Sequence, residues 1–331
     1  MATRLILIGG YTPDTGGTGS GVTVVRADPG GGLTELAATP ASGPSFLARH
    51  PRLPVLYAVG ESEEGTVACF DRGPGGALAE AGRRPTGGSY PCHVAVDPRG
   101  RWLVVANYGD GTLSAHRLDA QGRPGEPEPF RHTGSGPDPA RQEGPHAHQA
   151  VFGPDGTLYQ SDLGTDEIRR YLVADEITLH PDGPVRLAPG MGPRHFARSG
   201  GHWYVTGELD GTVAVYDDSW TELNRVRASS SAAENAPSHL EASADGRYVY
   251  VANRGPDTVT VLSAPGLERV AEVSCGGDWP RHFAILGDHM YVACQRSDEV
   301  TALPLADGVP TAPAATFATG SPSCVLPVPD F

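Results

Sequence analysis

Histidine recurs shortly after a proline at five places in the chain, and these imidazoles are the first residues that could do chemistry. They are His93, His146 with His148, His195, His239 and His282. An imidazole titrates near neutral pH and can give or take a proton, which suits acid–base catalysis. The simpler interpretation is a structural repeat whose imidazoles line a channel and hydrogen-bond the next strand. His148 differs, because the segment 145–148 is one residue out of register with the others, and an irregularity in a repeat points to a site.

A second set of candidates comes from the ends of apolar runs. Four residues before the hairpin residue of successive repeats stand Tyr108, Leu163, Glu208, Arg254 and Gln295. A carboxylate can activate water, and a guanidinium can hold a carboxylate or phosphate or stabilise an oxyanion. Glu208 and Arg254 occupy matching positions of consecutive repeats, so we expect both to face one axis. The alternatives are a solvated acid at a strand end and a surface arginine paired with Asp110 or Asp257.

The chain is strongly acidic, so an anionic substrate would need a local positive site. The chain has 39 Asp and Glu residues against 25 Lys and Arg residues, a formal net charge of −14. Such a surface repels nucleic acid and anionic membranes, so we expect neither as a partner. An anionic small molecule would need local arginines. Arg194, Arg281 and Arg296 stand at repeat positions beside the histidines or the run ends and could supply them.

The elements that position these residues follow from a repeat of roughly 45 residues. Its units open at Pro44, Pro91, Pro145, Pro193, Pro237, Pro280 and Pro322. After an opening come an apolar run, a turn, a more hydrophobic run, a polar hairpin, an alternating third run and a weaker fourth. The hydrophobic second runs are 55–59, 102–106, 158–161, 203–206, 248–252 and 290–293. Four short strands per unit predict an all-β protein, a β-propeller with antiparallel blades, and few helices.

The two ends of the chain bring the predicted number of blades to seven. Residues 5–8, 21–26 and 33–37 look like second, third and fourth strands, and 322–328 look like a first strand. We expect them to join in one blade, because closing the ring leaves no sheet edge open. Residues 1–331 are therefore predicted to form a single propeller domain. The longest insertion, 122–144, is predicted to be a loop on the face where the first strands begin.

The cysteines and the N-terminal sequence indicate in which cellular compartment the protein is expected. The cysteines are odd in number and lack zinc-ribbon spacing, so we expect buried free thiols: Cys69, Cys92, Cys275, Cys294 and Cys324. The apolar run within residues 1–9 is too short for a signal peptide or a membrane span and reads as a strand. We expect a soluble, cytoplasmic protein, a monomer or a weak homo-oligomer.

Four motifs together resemble the seven-bladed β-propeller lactonase family, which includes propeller-type 6-phosphogluconolactonases and fungal carboxy-cis,cis-muconate lactonising enzymes. They are GPHAHQAVF at 144–152, DLGTD at 162–166, GPRH at 192–195 with Glu208, and ANRG at 252–255. The resemblance covers essentially the whole chain. It implies a catalytic trio of His148, Glu208 and Arg254, with His146 as the alternative histidine, and neither metal nor other cofactor. We expect further substrate contacts from His146, Arg194, His195, His93, His239, Arg281, His282 and Gln295.

The leading interpretation is a hydrolase that opens a sugar lactone, above all 6-phospho-D-glucono-1,5-lactone, by base-assisted attack of water. Glu208 or His148 would be the base, and His148, titrating near neutrality, would pass the proton to the leaving alkoxide. Arg254 would clamp a carboxylate or phosphate, or stabilise the oxyanion. The expected partner is a small-molecule lactone or carboxylate.

Three other functions stay open at this point. A cycloisomerase could close a carboxy-cis,cis-muconate to a lactone with the same base, acid and arginines. A non-catalytic propeller could bind a ligand or protein, because the fold serves many functions. A calcium-dependent lactonase could use oxygen ligands at the ends of the second strands. Its candidate ligands are Glu61, Asn107, Asp162, Glu208 and Asn253.

Overall fold

The structure, a computed structural model, describes residues 4–328. Over this range seven antiparallel sheets form the blades of a β-propeller, as predicted. The only helices in the same range are two three-residue 3-10 turns, Pro13–Thr15 and Pro74–Gly76. No helix within 4–328 is long and apolar enough to cross a membrane. Residues 1–3, at the start of the first predicted strand, lie outside the described range.

We number the blades from the first one formed by consecutive strands and give the strands of each from the axis outward. Blade 1 contains Leu47–Arg49, Val55–Gly60, Thr66–Arg72 and Leu78–Pro85. Blade 2 contains Pro91–Val96, Trp102–Asn107, Leu113–Leu118 and Pro124–Phe130. Blade 3 contains Ala147–Phe152, Thr157–Asp162, Glu167–Val173 and Ile177–Leu179, with Val185–Arg186 as an additional strand.

The remaining blades repeat this plan. Blade 4 contains Pro193–Ser199, His202–Gly207, Thr212–Asp217 and Glu222–Arg227. Blade 5 contains Ala236–Ala242, Tyr248–Arg254, Thr258–Ser263 and Arg269–Ser274. Blade 6 contains Pro280–Leu286, His289–Cys294 and Glu299–Ala306, against which Val309–Pro310 and Ala315–Ala318 pair. Blade 7 combines the two ends of the chain, with Pro322–Val328, Arg4–Gly10, Val22–Ala27 and Leu33–Thr39.

Burial follows the position of a strand within its blade. The second strand of blade 2, Trp102–Asn107, is buried at every residue, because neighbouring blades cover both of its faces. This explains why the second runs read as continuous apolar sequence rather than as an alternation. The fourth strands lie at the rim, and Leu78–Pro85 has no buried residue. The hydrophobic core is therefore divided among the contacts between adjacent blades.

The closure of the ring is confirmed in its register. The C-terminal strand Pro322–Val328 pairs with Arg4–Gly10, with Leu326 opposite Leu7 and Val325 opposite Ile8. Closure brings the N-terminal segment that follows Arg4–Gly10 to the same mouth as blade 6. Tyr11 and Arg281 meet there, although they are 270 positions apart in the sequence.

The insertion 122–144 differs from its sequence interpretation, whereas the cysteines agree with theirs. The insertion 122–144 is not a loop throughout, because Pro124–Phe130 forms the outer strand of blade 2, and proline is tolerated at such an edge. The irregular part begins after Phe130 and returns over the mouth. The five cysteines are free and buried, as expected.

A β-bulge recurs near the start of the first strand in blades 2 to 6. The ladder skips Cys92 in blade 2, His148 in blade 3 and Arg281 in blade 6. In blade 4 it skips Arg194 together with the following residue. Bulges re-aim side chains and are common beside active sites. Here the four named residues all line one cavity at the mouth.

Candidate active site

A cavity of about 380 Å³ lies at the mouth of the propeller. The structure brings five of the predicted site residues to its wall: His148, Arg194, Glu208, Arg254 and Arg281. The other lining residues are Tyr11, Glu61, Cys92, Tyr108, Arg141, Glu234, Ala236 and Trp279. The predicted trio thus shares one pocket that a single small molecule can occupy. The first strands supply three of the five predicted residues and the ends of the second strands supply two.

Glu208 is the centre of the charge arrangement. Its Oε1 lies 2.7 Å from Nη2 of Arg141. Its Oε2 lies 2.9 Å from Nε of Arg194 and 2.7 Å from Nη2 of Arg254. The solvated-acid alternative for Glu208 is therefore wrong, since 7% of its side chain is exposed. Arg254 is likewise no surface residue, and its partner is neither Asp110 nor Asp257.

The two buried arginines keep hydrogen-bonding capacity in reserve. The Arg254 guanidinium donates from Nε to the carbonyl oxygen of Ala236 over 2.9 Å. Its Nη2 and the Nε and Nη1 of Arg194 are buried without a well-aligned acceptor in the described chain. Nε of Arg194 and Nη2 of Arg254 contact the Glu208 carboxylate as ion pairs, at 2.9 and 2.7 Å. Buried donors of this kind carry a large cost unless a ligand satisfies them.

The electrostatics of this cluster fix its charge state. Burial alone would raise the pKa of Glu208, but the guanidinium groups of Arg254 and Arg194 outweigh it and hold that pKa well below its usual range. Burial, followed by repulsion from Arg254 and Arg281, lowers the pKa of Arg194 to about 9. At neutral pH Glu208 is therefore ionised and Arg194 is charged. A carboxylate held in this way is a weak base and a strong anchor for guanidinium groups.

His148 has a different state from the one expected. Burial, and then the charge of Arg194, lower its pKa well below the ordinary imidazole value. The prediction that it titrates near neutrality is therefore wrong, and the side chain is a neutral imidazole at pH 7. Its Nδ1 is buried and has no hydrogen-bond partner among residues 4–328. A neutral imidazole on the cavity wall can accept a proton, and its lowered pKa makes it a weaker base than a solvated imidazole.

The remaining predicted histidines lie deeper in the propeller. The channel ring, as we call it, consists of aromatic side chains in mutual contact: Phe46, His93, His195, His239 and His282. None of them is among the residues that line the cavity. His93 and His282 accept hydrogen bonds through Nδ1 from backbone N–H groups of the next blade, over 3.5 and 3.3 Å. The four ring histidines were expected to contact substrate, but they lie outside the cavity wall, as the structural alternative describes.

His146 and Gln295 are also absent from the cavity wall. The His146 ring stacks on Tyr108 at 4.5 Å between centroids, and its Nδ1 lies 2.7 Å from the carbonyl oxygen of Tyr108. The Gln295 backbone N–H donates to the carbonyl oxygen of Trp279 over 3.1 Å. Both residues support cavity-lining neighbours rather than the cavity itself. Of the two histidines in blade 3, His148 lines the cavity and His146 does not.

Several cavity residues were not assigned a role from sequence. Tyr11 donates to the Glu61 carboxylate over about 3.1 Å and receives a hydrogen bond of 2.6 Å from Nη2 of Arg281. Trp279 lies below the Arg254 guanidinium, 5.4 Å from its Cζ to the ring centroid. Arg141 comes from the segment after Phe130. No repeat pattern points to these residues, because each comes from a turn or from an insertion.

The five oxygen ligands considered for calcium do not converge. Asp162 pairs with Arg169 and His132, and Glu208 pairs with arginines. Asn107 and Asn253 are tied to hydroxyl groups of their own blades. Within residues 4–328 no group of three or more His, Cys, Asp or Glu side chains is arranged to hold a metal ion. The donor set therefore does not fit a resident calcium ion.

Comparison with known proteins identifies the family of the chain. The family model described as "Lactonase, 7-bladed beta-propeller" matches residues 5–327. The chain is 32% identical to the 6-phosphogluconolactonase of Bacillus subtilis over 72% of this chain and 73% of that protein. It is 29% identical to the 6-phosphogluconolactonase of Formosa agariphila over 89% and 90%.

A solved structure shows the same likeness over almost the whole fold. The periplasmic gluconolactonase of Pseudomonas aeruginosa is 28% identical to this chain. Its structure superposes with a TM-score of 0.92 over 99% of each chain. The family model spans nearly all of the described residues. The chain belongs to the seven-bladed β-propeller lactonase family.

Proposed function

We propose that this protein hydrolyses a sugar lactone and that its physiological substrate is 6-phospho-D-glucono-1,5-lactone. The observation that carries the proposal is one cavity holding a neutral imidazole, a charged carboxylate and four guanidinium groups. Two relatives named 6-phosphogluconolactonase support the choice of substrate. A small-molecule substrate also agrees with the volume of about 380 Å³, which lies in the range of ligand pockets.

The charges of the cavity suit an anionic lactone. Four arginines line the wall against three carboxylates, one of which, Glu234, is exposed at the rim. This local excess of positive charge stands in a chain whose net charge is −14. An anion is therefore attracted to the cavity and repelled by most of the remaining surface.

A mechanism follows from the protonation states. A water molecule attacks the lactone carbonyl carbon while His148 takes one of its protons. The oxyanion that forms is stabilised by the unsatisfied donors of Arg194 and Arg254. The tetrahedral intermediate breaks the bond between the carbonyl carbon and the ring oxygen. The leaving alkoxide takes the proton back from His148, and the aldonic acid that forms releases its carboxyl proton to solvent to give the open aldonate.

Arg254→Ala tests this assignment of the oxyanion donors. We expect kcat/KM for the phosphorylated lactone to fall by about 10²- to 10³-fold, the usual effect of removing one oxyanion donor. The measurement is proton release followed in a pH-stat, with the uncatalysed rate subtracted. The matched control is Arg296→Ala, since Arg296 is exposed, packs on the Trp279 ring at 3.4 Å and does not line the cavity.

The same assay decides the proposed function. Arg296→Ala should stay within about threefold of the wild-type protein. A wild-type protein that fails to accelerate hydrolysis of both the phosphorylated and the unphosphorylated lactone would refute the proposal. Turnover of carboxy-cis,cis-muconate in an ultraviolet assay, without lactone hydrolysis, would assign the cavity to cycloisomerisation instead.

A further inference from the structure

Arg141 is set apart from the other cavity arginines by its origin. It belongs to the segment 131–146, which connects the outer strand of blade 2 to the first strand of blade 3. Gln142 fixes this segment, because its buried side chain donates to the Leu163 carbonyl oxygen over 2.9 Å. The Gln142 carboxamide oxygen accepts from the backbone N–H of Asp138 over 3.1 Å. The neighbouring Arg141 is thereby held over the mouth.

The Arg141 guanidinium uses only one of its nitrogens on the protein. Nη2 lies 2.7 Å from Oε1 of Glu208 and 3.2 Å from the hydroxyl oxygen of Tyr108. The other two nitrogens, Nε and Nη1, have no protein acceptor in the described range 4–328. Its side chain is 43% exposed, against 3% for Arg194 and 6% for Arg254. Arg141 is therefore a pre-positioned guanidinium at the rim of the cavity, and its Nε and Nη1 remain free to donate.

Stability does not explain this third guanidinium on Glu208. Arg194 and Arg254 already face the other carboxylate oxygen at 2.9 and 2.7 Å. An ion pair with a partly exposed arginine contributes only about 0–1 kcal/mol to folding, because water screens it. A fixed guanidinium with free N–H groups on two nitrogens can instead donate charged hydrogen bonds to the oxygens of a phosphate.

We propose that Arg141 is a specificity-determining residue that binds the phosphate monoester of the substrate, while the buried arginines serve the lactone carbonyl. The assignment rests on the proposed lactonase function. A dianion at the rim keeps part of its hydration, which a deeply buried position would remove at high cost. Tyr108 acts as a positioning residue, because its hydroxyl group accepts a hydrogen bond from Nη2 of Arg141 over 3.2 Å.

The experiment compares two lactones that differ only in the phosphate, 6-phosphoglucono-1,5-lactone and glucono-1,5-lactone. For Arg141→Gln we expect kcat/KM to fall about 30-fold with the phosphorylated lactone, as loss of a charged hydrogen bond implies, and less than about threefold with the other. Arg141→Lys should recover part of the loss. Tyr108→Phe should give a smaller loss with the same selectivity. Thermal melts show whether each variant is folded.

The outcomes separate this inference from the proposed function. An equal loss on both lactones, or no loss on either, would overturn the role of Arg141, since disturbance of Glu208 affects both substrates alike. If the wild-type protein hydrolyses neither lactone, calorimetry with 6-phosphogluconate and gluconate decides instead. Tighter binding of 6-phosphogluconate that Arg141→Gln abolishes would support the inference. Equal binding of the two aldonates by the wild-type protein would overturn it.

Discussion

Lowering the pH from 7 to 5.5 is expected to reduce the free energy of unfolding by about 4 kcal/mol, because the propeller buries neutral imidazoles along its axis. Burial, and then repulsion from other imidazoles or Arg194, lowers the pKa of His93 and His282 to about 3. Burial and the charge of Arg194 also hold the pKa values of His148 and His195 well below 6.5. Burial and the neighbouring His282 do the same for His239.

The sign follows from proton uptake. In the unfolded chain these imidazoles take up protons below about pH 6.5, whereas in the folded protein they stay neutral to much lower pH. The unfolded state therefore binds more protons in this window, and stability falls as the pH falls toward 3. Glu241 acts in the opposite direction, because burial raises its pKa to about 7. Its side chain is 44% exposed, so solvent screens this partial offset.

Urea unfolding curves at the two pH values provide the measurement. Phe46 shows that the channel ring accepts a phenyl group, so His93→Phe removes one titrating group without emptying the position. We expect the pH dependence of the variant to be weaker by about 0.8 kcal/mol per pH unit between pH 7 and 5.5, because the unfolded imidazole takes up most of one proton over this range. The matched control is Phe46→Leu, which changes the packing and leaves that slope unaltered. Equal wild-type stability at pH 7 and pH 5.5 would contradict the prediction.

The fold was predictable because it repeats. Six copies of one apolar pattern located the second strands to within two residues, and the C-terminal strand 322–328 has the predicted bounds. The pairing of Glu208 with Arg254 was also within reach, since both end second strands of adjacent blades. A repeat predicts where a residue lies within its blade, and that location determines whether its side chain reaches the propeller axis.

Which first-strand residue joins the channel ring depends on the β-bulges, and these could not be located from the sequence. Sequence placed His148 among the strand-one histidines and marked its segment as one residue out of register, and the structure shows that the ring register of blade 3 belongs to Gln149. Its Oε1 accepts from the Phe196 backbone N–H over 2.7 Å, as the Nδ1 of His93 does for the next blade. His148 instead occupies the bulge position of Arg194. The sequence shows the extra residue after Pro145, but it does not show that this residue forms a β-bulge.

The contacts of Arg141 and the charge state of His148 could not be read from the sequence. Arg141 meets Glu208 across 67 positions through an insertion with no counterpart in other blades. The pKa of His148 depends on burial and on the distance to arginines, and neither is encoded in residue spacing. Long-range contacts made by irregular segments, and the electrostatics of a buried cluster, are properties of the folded chain.

His148→Gln is expected to lower kcat/KM for lactone hydrolysis by about 10³-fold, because the glutamine cannot accept the proton of the attacking water. The pH–rate profile supplies the second readout. Since the pKa of His148 is held well below 6.5 by burial and Arg194, its neutral form persists as the pH falls. The wild-type protein should therefore keep its activity below pH 6.5 for as long as it stays folded, and initial rates at low pH measure this.

Glu208→Gln distinguishes the base from the anchor. It removes the charge that faces three guanidinium groups, so we expect a loss of stability of about 3–5 kcal/mol together with a loss of activity. His148→Gln removes no charge at neutral pH and should leave stability nearly unchanged.

Hydroxylamine, a small nucleophile more reactive than water, should open the lactone in His148→Gln with less loss of rate than in Glu208→Gln, because the oxyanion donors remain in place only in His148→Gln. The reverse order would assign the base to Glu208. The reaction would then use the ability of this carboxylate to take up a proton, and not only its negative charge toward the arginines.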